Sequence, residues 1–244
     1  MTEEPYRWLE AIQNRREYVL DQMSTGSPVL AVSIEAGILL CGVGSGNSKV
    51  FEIFDRHALA GLGHPADLEK IRQAAIDATH LEAFTRAPED VSLRRLVSYT
   101  LSGILKNQFE QIYAAPLMAE VLLAELGVTA SEDQLFRVHF DGSFDLHKGG
   151  ASVAGSRREA EEPARKWLIE STPADSSIQQ AATNLLTAWA LLVEKQTFPP
   201  GPEPAKNWRT LMGDKQVELA LLNRHTVSRV KYRPLTLRDA GLEP

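Results

Sequence analysis

The pattern of apolar residues in the first half of the chain predicts one helix, then two hairpins, then two longer helices. Apolar residues recur at helical spacing up to Met23, so residues 7–24 are predicted to form a helix, and Gly26 follows as a stop signal. Helical spacing returns after Pro65 and again after Pro88, and each proline suits the first turn of a helix. Short apolar runs bounded by turn residues predict strands over residues 29–34, 38–41, 50–54 and 58–61.

The second half of the chain repeats this plan of strands followed by helices. A helix containing Trp167 is predicted, and Ser177 with Gln180 has the form of a capping box that begins another helix. Pro234 is predicted to end the last strand. The strands are predicted over residues 117–126, 135–140, 144–148, 151–154, 217–222 and 227–232. An α+β fold with two stacked, mostly antiparallel sheets and a helix pair outside each sheet accounts for this order.

Composition and charge narrow the classes of protein that fit this pattern. The chain has 244 residues, of which 43% are hydrophobic and 24% charged, and residues 1–244 are predicted to form one globular domain. A net charge of −6 argues against nucleic acid as the main partner. The apolar runs are too short for a membrane span, and the single cysteine, Cys41, suits a reducing cytoplasm. We therefore expect a cytoplasmic protein that binds neither membranes nor nucleic acid.

The candidate sites for cofactors and metals are weak. The glycine-rich stretch from Gly42 to Asn47 looks like a phosphate loop, but a strand rather than a helix is predicted to follow it. The six histidines show no metal-ligand spacing. The sequence has no Gly-x-Ser-x-Gly motif, and Cys41 lies in an apolar run, which makes it a poor nucleophile. We therefore expect neither a cofactor nor a metal.

Several separate segments of the chain resemble one known family. They are Gly26-Ser27 before the first strand, Pro5-Tyr6 before the first helix, and residues 35–40, 48–56, 137–144 and 151–156. Together they are similar to the bacterial, actinobacterial type of proteasome alpha subunit, over about residues 5–232. The resemblance implies the four-layer αββα sandwich of the N-terminal-nucleophile hydrolases, with an extra N-terminal helix.

Ser27 stands where the beta subunits of this family have their catalytic threonine. In those subunits, cleavage before the threonine frees an amine that acts as the base, and an acidic residue and a lysine support it. Lys49 matches that lysine, but Val43 stands at the acidic position and Pro28 stiffens the chain beside the cleavage point. The resemblance therefore implies that Ser27 is a vestigial nucleophile and that the chain is not itself an enzyme.

In alpha subunits, a lysine at the position of Lys49 receives the C-terminal carboxylate of a docking activator. The resemblance thus implies a subunit of a heptameric outer ring that serves protein degradation, with proteolytic beta-type subunits, a ring-shaped ATPase activator and unfolded protein substrates as its partners. Residues 1–6 would form a gate for substrate entry at the axial pore, made of Thr2, Glu3, Glu4, Pro5 and Tyr6. Two alternatives stay open: a self-compartmentalising peptidase that uses Ser27 after autocleavage, and a divergent scaffold of the same fold without a protease.

Overall fold

The computed structural model describes residues 5–155, 158–194 and 208–242 of the chain. The helices are α1 (Pro5–Met23), α2 (Pro65–Thr85), α3 (Leu93–Arg95), α4 (Ser102–Glu110), α5 (Arg158–Ser171), α6 (Ile178–Val193) and α7 (Trp208–Met212). The strands are β1 (Val29–Ile34), β2 (Gly37–Gly44), β3 (Val50–Phe54), β4 (His57–Gly63), β5 (Ala119–Glu125), β6 (Gln134–Val138), β7 (Phe144–His147), β8 (Gly150–Val153), β9 (Gln216–Asn223) and β10 (Tyr232–Leu235). A π-helical turn, Leu96–Leu101, joins α3 and α4 into one helical run.

The strands form two five-stranded sheets, and neighbouring strands are antiparallel in both. The first sheet has the order β10-β9-β2-β1-β8, and the second has the order β3-β4-β5-β6-β7. Each sheet therefore combines strands from both halves of the chain. The predicted α+β fold with two antiparallel sheets is confirmed.

Three apolar clusters lie between the successive layers of the structure. One cluster joins the facing sides of the two sheets and contains Val29 and Leu122. A second lies between the first sheet and helices α5 and α6 and contains Leu39 and Leu185. The third packs the second sheet against α2, α3 and α4 and contains Ile71. The layers are thus helix, sheet, sheet and helix, as the four-layer sandwich requires.

Helix α1 begins two residues earlier and ends one residue earlier than the predicted range of 7–24. Pro5 is its first residue. Proline suits this place because an N–H in the first helical turn has no carbonyl partner within the helix, so no hydrogen bond is lost. The backbone of Pro5 and Tyr6 is therefore helical rather than part of a tail. Val19 and Met23, near the other end of α1, are buried in the cluster between the sheets. The remaining predicted gate residues, Thr2, Glu3 and Glu4, lie outside the described residues.

Two arginines fix α1 to the end of α4 and to the turn after β6. Arg15 donates a hydrogen bond to the backbone oxygen of Gln108 at 3.0 Å, and Arg16 pairs with Asp141 at 2.8 Å. Burial acts to raise the pKa of Asp141, but hydrogen bonds from Ser143 and Arg16 outweigh it, so the pKa lies below its usual value. These polar contacts set the direction in which α1 leaves the two sheets.

The prediction that a helix opens at Pro88 is wrong. Pro88–Asp90 forms one 3-10 turn, after which Val91 is extended and fully buried. The helical run begins at Leu93, whose amide donates to a carboxylate oxygen of Glu125 at 2.8 Å. Because the first amides of a helix lack partners within the helix, this buried carboxylate fixes the start of the run.

The prediction that the last strand covers residues 227–232 and ends before Pro234 is also wrong. Strand β10 runs over Tyr232–Leu235, and Pro234 pairs in register with Ala220. Because β10 is at the edge of its sheet, proline is tolerated there without an N–H to donate. Val227 is fully exposed in the preceding loop. At the end of this loop, the backbone N–H of Lys231 donates a hydrogen bond to the Asp55 backbone oxygen at 2.7 Å.

Candidate functional site

Ser27 lies in the short connection between α1 and β1. Its side-chain oxygen accepts a hydrogen bond from the indole N–H of Trp189, on α6, at 2.9 Å. Trp189 is fully buried, so this contact ties Ser27 to the helix layer outside the first sheet. The hydroxyl that the resemblance places at the nucleophile position thus has a structural partner.

The residues in front of Ser27 are packed closely against the rest of the fold. The amide of Gly26 donates to the Met23 backbone oxygen at 3.0 Å, which closes a turn at the end of α1. A Cβ atom on Gly26 would lie 2.9 Å from side-chain atoms of Leu62, nearer than real Cβ contacts come. Ser27 therefore follows a tight turn in which any side chain at position 26 would force Leu62 to shift. In the intact chain its nitrogen is a peptide amide and cannot act as a base.

The structure brings Ser27 and Lys49 together, as the resemblance implied. The Lys49 ammonium donates to the backbone oxygen of Ser27 at 3.3 Å. The side chain of Lys49 runs along the end of β2, because a Cβ atom on Gly42 or Gly44 would come within 3.1 or 3.0 Å of it. The two glycines thus make room for the lysine stem.

Val43 takes no part in this arrangement. It is fully buried in the apolar cluster between the first sheet and helices α5 and α6. Side chains alternate along a strand, so Val43 faces away from the side on which Gly42 and Gly44 contact Lys49. Val43 therefore offers neither charge nor hydrogen bond to Ser27 or Lys49.

Glu218 is a residue of this site that the sequence analysis missed. One of its carboxylate oxygens accepts hydrogen bonds from the backbone amides of Lys49 at 2.9 Å and Val50 at 3.2 Å. It lies on β9, where its register partner is Gly42. A single acidic residue within the apolar run 217–222 was the signal that could have identified it. Glu218 fixes the backbone from which the Lys49 side chain starts.

Burial and the neighbouring charges have opposing effects on the pKa of Lys49. Burial lowers the pKa of Lys49, the negative charge of Glu218 acts in the opposite direction, and the positive charge of Lys215 lowers the pKa further. Burial, with Glu218 and Glu52 adding to it, also raises the pKa of Tyr232 to about 12. The Tyr232 hydroxyl donates to the Val50 backbone oxygen at 3.3 Å, so it serves as a neutral support beside the lysine.

Other candidate chemistry finds little support in the part of the chain that the structure describes. Burial, followed by the charge of Glu218, raises the pKa of Cys41 to about 12, so its thiol is a poor nucleophile, as predicted. The glycine-rich stretch ends in strand β3, as predicted, rather than in a helix. Among the described residues, histidine, cysteine and carboxylate side chains form no group of three that could hold a metal ion. None of the described helices is both long enough and apolar enough to cross a membrane.

Comparison with known proteins assigns the chain to a family. A family model described as proteasome subunit matches residues 23–189. The chain belongs to the proteasome subunit family. Relatives named proteasome subunit alpha include those of Parafrankia sp., at 26% identity over 96% of this chain and 92% of the relative, and Salinispora tropica, at 28% over 95% and 86%. A relative of the same name from Saccharomonospora viridis is 27% identical over 93% of this chain and 84% of its own length. The resemblance to the actinobacterial alpha type is therefore confirmed.

Proposed function

We propose that this chain is a non-catalytic alpha-type subunit, which forms the outer ring of a bacterial proteasome core and stacks on a ring of proteolytic beta-type subunits. The names and organisms of its relatives support this assignment. In this proposal, residues 1–244 act as one domain, and seven copies surround an axial pore. Residues 1–4, in front of α1, would gate that pore and control the entry of unfolded protein substrates.

The observation that carries the proposal is the packing of the segment in front of Ser27. Release of an N-terminal Ser27 would remove α1, whose Val19 and Met23 are buried between the sheets. Exposing each of these side chains costs about 1.5–3 kcal/mol. The tight turn at Gly26 adds a second obstacle to cleavage. The leader is thus an integral part of the fold rather than a removable propeptide.

Lys49 has the features expected of a docking residue. Its ammonium has a long hydrogen bond to the Ser27 backbone oxygen, at 3.3 Å. An ammonium carries three donors, and among the described residues the Ser27 oxygen is the acceptor recorded for Lys49, so its other N–H groups could bind the terminal carboxylate of an activator. One partly exposed contact of this kind contributes about 0.2–1 kcal/mol. Seven such contacts in a ring, engaged together, would give useful avidity.

The first experiment tests whether the chain is processed. The full chain is co-expressed with its beta-type partner, and the purified complex is analysed by intact-mass spectrometry and electron microscopy. We expect an alpha chain that retains residues before Ser27, in rings stacked on beta rings. A chain beginning at Ser27 would instead establish the self-processing peptidase. Rings that form without any beta-type chain would favour the scaffold.

The second experiment tests docking with Lys49→Met, which keeps the length of the side chain over Gly42 and Gly44 but removes its charge. In the assembled core, we expect normal rings and normal hydrolysis of a small fluorogenic peptide, but no stimulation of unfolded-protein degradation by the ring ATPase. Lys166→Ala is the control, because Lys166 is well exposed on α5, with 65% of its side chain accessible. ATPase stimulation that survives in Lys49→Met would overturn the docking role.

A further inference from the structure

Three strand ends meet around the Lys49 ammonium, and one of them carries a second lysine. Ser27 precedes β1, and Gly44 is the last residue of β2. Gly44 pairs in register with Gln216, the first residue of β9. Lys215 comes directly before Gln216, at the end of a turn closed by its amide, which donates to the Met212 backbone oxygen at 3.0 Å.

The Lys49 side chain extends toward this second lysine. Its stem passes Gly42 at its base and Gly44 near its tip, because Cβ atoms at these glycines would meet Cβ and Cε of Lys49 at 3.1 and 3.0 Å. The stem therefore runs toward the strand ends where Lys215 lies. The positive charge of Lys215 is close enough to lower the pKa of Lys49. Lys215 itself is half-buried rather than extended into solvent.

The charges at these strand ends favour an anion. Glu218 is the acidic residue that acts on Lys49, and one of its oxygens already accepts the amides of Lys49 and Val50. The charges that act on the Lys49 ammonium are one negative, Glu218, and one positive, Lys215, so the group that includes Lys49 itself carries one positive charge in excess, which a single further carboxylate would neutralise. Opposite charges within a few ångströms stabilise each other more strongly where water is partly excluded.

We propose that Lys215 is a second cation of the docking site, and that Lys49 and Lys215 together bind the terminal carboxylate of the activator between the ends of β1, β2 and β9. The proposal rests on the proposed docking role of Lys49 and adds a residue to it. In this arrangement Lys49 hydrogen-bonds the carboxylate, and Lys215 stabilises it by charge from the β9 side. Lys215 is therefore a specificity residue that distinguishes a free chain end from an amide.

The test uses the assembled core particle and two synthetic peptides that copy the C-terminus of the ring ATPase, one with a free carboxylate and one with a terminal amide. Binding is measured by fluorescence polarisation. Lys215→Ala should weaken binding of the free-acid peptide by about two- to five-fold and leave the amide peptide unaffected. Lys215→Arg should restore the affinity, Lys215→Glu should reduce it further, and added salt should diminish the difference. Lys166→Ala, on the surface of α5, is the matched control.

The outcomes separate this inference from the function on which it rests. Lys215→Ala could leave binding of the free-acid peptide unchanged, or weaken binding of both peptides equally. If Lys49→Met abolishes binding in the same assay, either result shows that the role of Lys215 is wrong and that the docking role of Lys49 stands. If Lys49→Met binds both peptides like the wild type, the docking role itself fails. Because Lys215 is half-buried at the surface, its substitution should leave the rings intact, which electron microscopy of the same samples checks.

Discussion

Arg224 should be among the residues on which the stability of this fold depends most. Its guanidinium donates to both carboxylate oxygens of Asp133, at 2.7 and 3.0 Å, and to the Gly127 backbone oxygen at 2.6 Å. Asp133 also accepts a hydrogen bond from Ser33 at 2.5 Å, and its side chain is fully buried. These contacts join β1 and the residue that follows β9, in one sheet, to the β5–β6 connection in the other.

Replacing Arg224 by alanine would leave the Asp133 carboxylate buried without its positive partner. Removing one member of a buried ion pair costs about 3–5 kcal/mol, because the remaining charge stays away from water. Typical domains have a free energy of unfolding of about 5–15 kcal/mol, so this loss would be a large share of the total. A double variant that also replaces Asp133 with asparagine should be less destabilised than Arg224→Ala alone, since the uncompensated charge is removed.

The assay is urea unfolding of the isolated full-length chain, followed by circular dichroism. We expect Arg224→Ala to lower the midpoint strongly without changing the slope, which would mark a loss of stability rather than a change in the unfolded state. Arg229→Ala is the matched control, because Arg229 pairs with Asp55 while 61% of its side chain is exposed. That exposed pair should contribute about 0.2–1 kcal/mol. Equal effects of the two substitutions would refute the reasoning.

Three further predictions concern α1 and the turn at Ser27. The pKa of Asp141 is lower in the folded state than in the unfolded state, so its carboxylate stabilises the fold at pH values above the unfolded-state pKa. This stabilisation is lost as the pH falls through the folded-state pKa. The melting temperature of Asp141→Asn should therefore fall less on acidification than that of the wild type. Trp189→Phe should cost about 0.5–1.5 kcal/mol beyond its packing change, because the hydrogen bond to Ser27 is lost, and calorimetry would measure it. Gly26→Ala should cost about 1–3 kcal/mol through overpacking, measured by urea unfolding.

Each of these predictions can be contradicted by a defined result. An identical acid dependence in Asp141→Asn and the wild type would contradict the first prediction. Adding Ser27→Ala to Trp189→Phe should cost little more, since both remove the same bond, and full additivity would contradict the second. Gly103→Ala should be tolerated, because a Cβ there would meet no atom of the described residues within 4 Å apart from its own helical backbone and chain neighbours. Equal destabilisation by Gly103→Ala and Gly26→Ala would contradict the third prediction.

The sequence predicted most elements correctly and failed where tertiary contacts set their boundaries. Apolar runs bounded by turn residues predicted β1, β2, β3 and β4, and the spacing of Ser177 and Gln180 predicted the capping box, because these features depend on neighbours within a few residues. Pro88 was misread as a helix start because the buried Glu125 carboxylate, distant in sequence, caps the run at Leu93 instead. Pro234 was misread as a strand end because its tolerance depends on β10 being at a sheet edge.

Some residues of the site could be identified from the sequence, and others only from the tertiary structure. Ser27 and Lys49 could be identified from the sequence because the resemblance to proteasome alpha subunits points to these two positions, and the structure brings them together. Trp189 could not be identified as the partner of Ser27, since it is one apolar residue among many on α6. The contacts of Glu218 with the Lys49 and Val50 amides depend on the register between β9 and β2, which local periodicity does not encode.

The sequence by itself determined the order of the elements, the α+β class and the family, because apolar period, turn residues and short motifs are local properties of a chain. The tertiary structure alone decided which distant residues surround Lys49. Lys215 and Glu218 reach it because β9, from the end of the chain, pairs with β2 near its beginning. Pairing across such a distance is fixed by burial of both sheets against each other and against the helices, so the charges at this site follow from the fold as a whole.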